Sequence, residues 1–256
     1  SDKYRSQSTA VWHANHFAIF KFGRNQKGGD SIGILTETFA GAGGARSFAD
    51  GVEIGGEIPN PISRMANVET VEAAFPVRYL FRRRAPDSGG PGEYRGGTGG
   101  EMALVPHKAP DGGINYVISG KGSRHPMSEG LAGGYPGAPN SYVWVKAPED
   151  GTNAPVTAAD GLDTIPGNQE RVSWGVYPLM GRDSLYIRWN GGGGYGDPIA
   201  RDPQAVCRDV AAGLVTLQSA GDIYGVALSN GVVDETATLA KRDDIRRARL
   251  AQEAAE

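Results

Sequence analysis

The side chains to test first for chemistry are four histidines, at positions 13, 16, 107 and 125. Imidazole can ligate a metal or move a proton near neutral pH. His13 and His16, in "HANH", stand three apart. On a helix that spacing puts both rings on one face, as a metal pair requires. The surrounding "VWHANHFAIFKF" reads as a strand, where positions three apart face opposite ways. They are the candidate metal ligands. His107, in "VPHKAP", reads as a solvent-exposed turn residue. His125 follows Arg124 in "GSRHPMSEG", inside a long Gly- and Pro-rich loop between two strands. Such loops collect binding residues. Arg124 and His125 are therefore the candidate substrate-binding pair, set against a histidine bonded only to loop backbone. Glu69 and Glu72 could act as a carboxylate pair or form the solvated face of a short helix. Cys207, beside Val206, reads as buried packing. No serine stands in a G-x-S-x-G elbow. These residues alone specify no catalytic group.

Three glycine-rich stretches could instead cradle phosphate: "GGTGGE" (96–101), "SGKGSRHP" (119–126) and "GGGGYGDP" (191–198). A phosphate loop needs glycines followed by a lysine and a hydroxyl at a helix start. The first lacks the helix that should follow a dinucleotide fingerprint, and the second lacks the Walker spacing. The third has neither lysine nor hydroxyl and ends in Asp197, which would repel an anion. All three are expected to be packed turns, with glycine present for backbone reversal at positive φ.

The elements that must position these groups are mostly short strands. Residues 11–22, 31–41, 77–84 and the runs around "INYVISG", "SYVWV" and "GRDSLYIRW" carry strand-like patterns. In 77–82 the alternation predicts Val77, Tyr79 and Phe81 on one face and Arg78, Leu80 and Arg82 on the other. A short helix is expected after Asn67 and ends at Pro76. The texture changes at Asp197. Asp202 and Pro203 mark a helix start, Thr216 a second, and residues 234–256 a third, with Asp244–Arg247 and Arg249–Glu253 spaced for surface pairs. Gly225 reads as a left-handed stop. The expected class is α+β and predominantly β, with residues 1–196 as a β-rich module and 197–256 as a helical C-terminal segment.

Composition narrows the function. The chain has 256 residues, a net charge of −3 and one cysteine. Without a basic patch it is no nucleic-acid binder, and without a long apolar run it predicts no membrane span or signal peptide. A single cysteine excludes an internal disulfide framework and a multi-cysteine metal site. The expected compartment is the cytoplasm. The 39 glycines are about twice the usual ~7%. The chain opens on Ser1 rather than methionine, so a processed chain, a split-gene product or a fragment of something longer is expected.

Three stretches, in order, carry a resemblance. "NPISRMANVETVEAAFPVRYLFRRRAPDSGGPGEYRGGTGG", "GLAGGYPGAPN" and "GGGGYGDPIARDPQAVCRDVAAGLVTLQSAGDIYGV" resemble elements of the hydantoinase B/5-oxoprolinase family, which includes an acetone and acetophenone carboxylase branch. They span most of residues 40–226, leaving the final helix outside. The resemblance implies the C-terminal part of a B-type subunit. It implies as partners an A-type subunit, carrying ATP and Mg²⁺, and the remaining part of the B-type chain. A divalent metal on the complex is implied too, with no cofactor bound by this chain alone. The implied substrate is a cyclic amide opened by hydrolysis or, alternatively, a ketone that is carboxylated; "NVETVEAAFP" departs from the family's commoner "NTPVEVLE"-like run and leaves that branch open. The isolated chain is expected to be inactive. A third reading, from a different class, is a non-catalytic assembly module.

Overall fold

The computed structural model describes residues 7–11, 20–34, 41–54, 66–110, 112–119, 122–148 and 156–253. Two antiparallel sheets enclose the main core. One has the order β2-β1-β5-β8, built from β1 (Phe20–Arg24), β2 (Asp30–Ile34), β5 (Gly113–Ile118) and β8 (Gly175–Met180). The other has the order β3-β4-β9-β6-β7, from β3 (Val77–Arg84), β4 (Gly100–Pro106), β6 (Ser141–Lys146), β7 (Asn168–Arg171) and β9 (Ser184–Arg188). Ile114, Tyr116, Ile118 and Leu179 of the first sheet meet Tyr79, Met102, Leu104, Leu185 and Ile187 of the second. The far face of the second sheet buries Leu80, Ala103, Val143, Val145 and Tyr186 against Ile165 and Leu162. Period-two alternation explains both faces, since in-register residues share one side of a sheet.

The expected alternation of β3 fails after Tyr79. Tyr79 lies opposite Leu104, but Phe81 lies opposite Ala103, so Leu80 is an extra residue in a bulge. A bulge reverses the facing of all that follows. Leu80 and Phe81 both turn to the second core, while Arg82 moves to the Met102 side and donates to Ala66 O at 2.7 Å. The arginines are thus not one solvated row.

Helix α1 (Val68–Ala74) starts where expected, with Asn67 Oδ1 accepting from Glu69 N at 2.8 Å. Phe75 and Pro76 end it. The Phe75 ring covers Gly33, where a Cβ would lie 2.4 Å from the ring edge, and the buried Lys21 ammonium sits 3.6 Å from its centroid. In the C-terminal segment, α2 (Pro203–Ala211) is capped by Asp202, and α3 (Leu217–Asp222) by Thr216. Gly225 is left-handed, at φ 63°. Helix α4 (Glu235–Glu253) makes the Asp244–Arg247 pair at 2.5 Å, and Arg249 reaches Asp197 at 2.8 Å; the Glu253 side chain, expected to pair with Arg249, lies outside the described side chains. Between α3 and α4 the structure adds an unforeseen hairpin, β10 (Leu228–Ser229) and β11 (Val232–Val233), turned by Asn230 at φ 51° and Gly231 at φ 77°. Both angles suit a tight hairpin turn. Cys207 is half-buried, not buried, with its thiol 3.2 Å from Gly231 O.

The dense glycines do something other than reverse the chain. Gly191, Gly192, Gly193 and Gly194 are buried, and none has a left-handed φ. Their amides donate in turn to Ala138, Gly97, Val11 and Tyr135, at 2.9–3.1 Å. A pleated strand has two neighbours, whereas this one bonds outward in several directions. It is the axis of a bundle of extended chains, like the crowded axis where only glycine fits in polyproline-type assemblies. A Cβ on Gly192 would lie 2.0 Å from Gly43 O, and one on Gly193 2.0 Å from Glu129 O. Close backbone approach, not positive φ, therefore selects glycine here.

Candidate functional site

The loop from residue 122 to 140 projects from this bundle. Gly122, at φ 71°, opens it, and Asn140 N closes it on Gly122 O at 2.9 Å. Its return leg is held by Gly137 N to Ser128 O (2.9 Å), Tyr135 N to Pro91 O (2.8 Å) and Ala138 N to Ser88 O (2.8 Å). Asn190 ties the base: its amide donates to Asn140 Oδ1 at 2.8 Å and its Nδ2 to Ser128 Oγ at 3.1 Å. Arg124 and His125 follow directly on this closure, both exposed.

The opposite wall is the connection between β7 and β8. Val172 N donates to Tyr142 O at 3.0 Å, and Ser173 N to the Tyr177 hydroxyl at 3.3 Å. This brings Arg171 across from Arg124. A cavity of about 230 Å³ lies between them, lined by Ser123, Arg124, Tyr142, Arg171 and Ser173 among others. It adjoins a wider cleft of about 510 Å³ that takes in His125, Met127 and Trp174. Among the described residues no carboxylate pairs with either arginine. Burial pushes the Tyr142 phenol well above its ordinary value, so it stays protonated at neutral pH. Two guanidiniums, hydroxyls and an adjoining apolar wall suit a small molecule with an oxyanion end and an apolar body. Sequence reasoning named Arg124 and His125 as candidates and did not name Arg171, Tyr142, Ser173 or Trp174, which the fold brings around the same cavities. Only the polar and aromatic run "RVSW" between two strands hinted at the second wall.

A second charged cluster has a different character. Arg201 pairs with Asp50 at 2.6 Å and with Asp209 at 2.8 Å; Arg95 pairs with Glu53 at 2.6 Å. Glu53 also accepts from Thr98 N at 2.6 Å and from the Thr98 hydroxyl. Burial raises the Asp50 carboxyl, but hydrogen bonds and charge from Arg201 outweigh it and hold it below the ordinary value. Burial likewise opposes the Arg201 charge, and Asp50 and Asp209 overcome it, so its pKa is raised. Three carboxylates already answer two arginines, leaving no cation for an incoming anion. Arg242 adds a bond to Arg201 O at 2.6 Å and one to Tyr224 O at 3.1 Å. The cluster fastens α2 and α4 to the glycine bundle.

Neither Glu69 nor Glu72 serves as a free carboxylate pair, since Glu72 Oε1 accepts from Tyr79 N at 2.8 Å. His107 is exposed, as expected. His13 and His16 lie outside the described residues. Among the described residues no group of three or more His, Cys, Asp or Glu side chains could hold a metal ion. Nucleotide phosphates do not fit the stretches 96–99 and 191–194. Each glycine position there with room to test is filled by another backbone, and the amides of 191–194 are already bonded. Among the described residues no helix is long and apolar enough to cross a membrane.

The hydantoinase B/oxoprolinase profile matches residues 5–198. The chain is 33% identical over 239 residues to the acetone carboxylase alpha subunit of Xanthobacter autotrophicus, covering 84% of this chain and 30% of that one. It is 30% identical to the acetophenone carboxylase delta subunit of Aromatoleum aromaticum, covering 91% and 36%. With caprolactamase subunit beta of Pseudomonas jessenii it shares 31% identity, covering 91% and 38%. It therefore spans little more than a third of the length of these relatives at most. In three dimensions it is similar to nucleotide-free acetone carboxylase, with a TM-score of 0.83 at 30% identity over 98% of this chain and 35% of that one. For the ATP-dependent caprolactamase of Pseudomonas jessenii the TM-score is 0.73 at 26% identity, over 92% and 38%. The 98% coverage leaves too few residues unmatched to exclude the final helix, which the sequence motifs had placed outside the likeness. This chain belongs to the hydantoinase B/oxoprolinase family.

Proposed function

We propose that this chain is the C-terminal part of a B-type subunit in a cytoplasmic, ATP-dependent complex that carboxylates a ketone. The observation that carries the reading is the 0.83 TM-score to acetone carboxylase over 98% of the chain, against 0.73 over 92% for caprolactamase. The sequence motifs alone put cyclic amides first; the higher TM-score to acetone carboxylase is the support for placing the ketone branch first in this reading. ATP and Mg²⁺ are handled by an A-type partner, because the tested glycine stretches here leave no space for phosphate. Phosphoryl transfer from ATP to the ketone oxygen, with an α-proton lost to a base, would give an enol phosphate and ADP; its carbon would attack CO2 formed by dehydration of bicarbonate, and water would take the phosphoryl group away as phosphate.

In this reading Arg124 and Arg171 grip the oxygens of bicarbonate or of the carboxylate product, since guanidinium binds carboxylates in a bidentate fork. His125 lines the mouth, and Met127 and Trp174 receive the apolar body. The test is turnover by the purified complex with acetone or acetophenone plus labelled bicarbonate. The expected result is ATP-dependent fixation of label, with Arg124→Ala and Arg171→Ala raising the KM for bicarbonate while the complex still assembles. Hydrolysis of caprolactam, hydantoin or 5-oxoproline without label fixation would overturn it in favour of a cyclic-amide hydrolase. The 31% identity to caprolactamase subunit beta keeps that second reading in play. If both variants damage only assembly, the chain is a non-catalytic packing module.

A further inference from the structure

The four-stranded sheet has two unlike faces. Its inner face buries Lys21, Ile114, Tyr116, Ile118 and Leu179. Its outer face carries Ile32 at 76% exposure, Val176 at 59% and Met180 at 45%, with Pro178 exposed and Phe22 and Val117 half-buried. The register makes these contiguous. Ile32 lies opposite Phe22, Phe22 opposite Asn115, and Asn115 opposite Pro178; Val117 lies opposite Val176. Met180 leans over Gly113, where a Cβ would lie 2.4 Å from its sulfur. An antiparallel sheet with one wet face should alternate apolar inward and polar outward. Here the outward positions Ile32, Phe22, Val117, Val176, Pro178 and Met180 are apolar, with Asn115 among them and the exposed Arg24–Asp30 pair closing the patch at one end of β1 and β2. Scattered single apolar residues on a surface need no explanation, but a connected patch marks an interface. The two edge strands of the sheet are β2 and β8, each with one strand neighbour among the described residues, β1 and β5.

We infer that this face seats the rest of the B-type chain: the polypeptide corresponding to the part of the relatives that this chain does not span. The inference rests on the family placement and deepens the function proposed above by naming the surface used. Its first support is length. The fold matches 98% of this chain but 35% of the acetone carboxylase chain, so the larger share of such a subunit must pack against this unit somewhere. Its second support is the character of the other surfaces. The second sheet's far side is covered by residues around 156–165, and the glycine bundle is buried. Helix α4 presents exposed ion pairs, Asp243–Arg246 and Asp244–Arg247, with Leu239 and Leu250 exposed but eleven residues apart. A permanent interface resembles a core cut in half, and the outer sheet face has that composition. A partner that docks and leaves would meet a more polar surface.

The test places photoreactive p-benzoylphenylalanine at Val176 or at Ile32, both exposed, in the chain purified with its native assembly. Irradiation and mass spectrometry then identify what is captured. The expected capture is peptides of hydantoinase B-type sequence from outside these 256 residues, whether on the same polypeptide or a separate one. Capture of the A-type subunit, of a second copy of this chain, of its own residues, or of nothing overturns the inference. A Val176→Asp/Met180→Asp variant supplies a second measurement. It should unfold at an unchanged temperature and lose co-purification with the B-type remainder by more than tenfold; undiminished co-purification overturns the inference. Substrate identity is read separately by label fixation, so a complex that opens lactams but captures B-type peptides refutes the carboxylase reading and leaves this one standing.

Discussion

Replacing Gly192 by alanine separates the two explanations for so much glycine. If glycine served backbone reversal, alanine at a position of ordinary φ would be tolerated. In the bundle, the new methyl would lie 2.0 Å from Gly43 O, 2.3 Å from Gly43 C and 2.7 Å from Gly44 N. All three are backbone atoms, so no side chain can swing aside, and the two chains must part by more than an ångström. Overpacking of this kind costs about 1–3 kcal/mol. Parting also strains Gly192 N to Gly97 O, Gly90 N to Gly192 O and Gly97 N to Gly43 O, at 2.8–3.0 Å. Each buried amide left unpaired adds about 1–3 kcal/mol. The loss is therefore about 2–6 kcal/mol if one bond fails and about 3–9 if two do, a large share of the ~5–15 kcal/mol that holds a domain together. Gly231→Ala is the control. It sits at φ 77° with nothing within 4 Å, so its cost is only the left-handed backbone, about 1–2 kcal/mol. Urea unfolding followed by circular dichroism reads both. A Gly192→Ala loss below ~1 kcal/mol, or a Gly231→Ala loss as large as that of Gly192→Ala, would refute the close-packing account.

Arg201→Met should cost about 3–5 kcal/mol, at the lower end because Asp50 is partly open to water; Asp209 is left buried without its strongest partner. Limited proteolysis should then cut near residues 197–205 before the sheets are attacked. Asn67→Ala removes the cap bond accepted from Glu69 N at 2.8 Å and should lower unfolding free energy by about 1 kcal/mol; Thr216→Ala removes the cap bond from Ser219 N at 3.1 Å and the hydroxyl's bond to Asp87 at 2.7 Å, and should lower it by about 1–2 kcal/mol. The Asp50 carboxyl is held below its ordinary 3.8, so its contribution is present above that pH and is lost as pH falls through the folded value. Acid titration of stability should show a drop below pH 3.8, and Asp50→Asn should lose stability at neutral pH while flattening that drop.

The sequence was most legible where the signal is local. Asn67, Asp202 with Pro203, Thr216 and Gly225 each act within one turn of their own position, and each stands where the pattern placed it. The bulge at Leu80 was not legible, because an extra residue is defined only by the partner strand it fails to match. Asn230-Gly231 did carry a hairpin signal, but two-residue strands are too short to show alternation. The Arg249–Asp197 pair joins residues 52 apart along the chain, which spacing within one helix does not signal. Half the candidate site was visible in the loop bearing Arg124 and His125. The other half required knowing that Val172 bonds back to Tyr142, a contact between segments distant along the chain.

The glycine bundle also bears on how a surface loop can hold a binding geometry. A loop of this length is ordinarily a low-stability element, and ordering its side chains at each binding event would weaken the ligand. Here the return leg of the loop is part of the bundle: Cβ atoms on Gly130, Gly134 and Gly137 would lie 2.0–2.3 Å from the Gly134, Gly194 and Gly191 carbonyl oxygens. Backbone packed on backbone has no rotamers to lose, so its rigidity costs no side-chain entropy. The same bundle receives Asn190, whose bonds to Asn140 and Ser128 fix the base below Arg124. The opposing arginine is fixed independently by the second sheet, through Tyr142 and Val172. Glycine thus contributes to the candidate site without touching a ligand, by making one wall of the cavity as stiff as the sheet that forms the other.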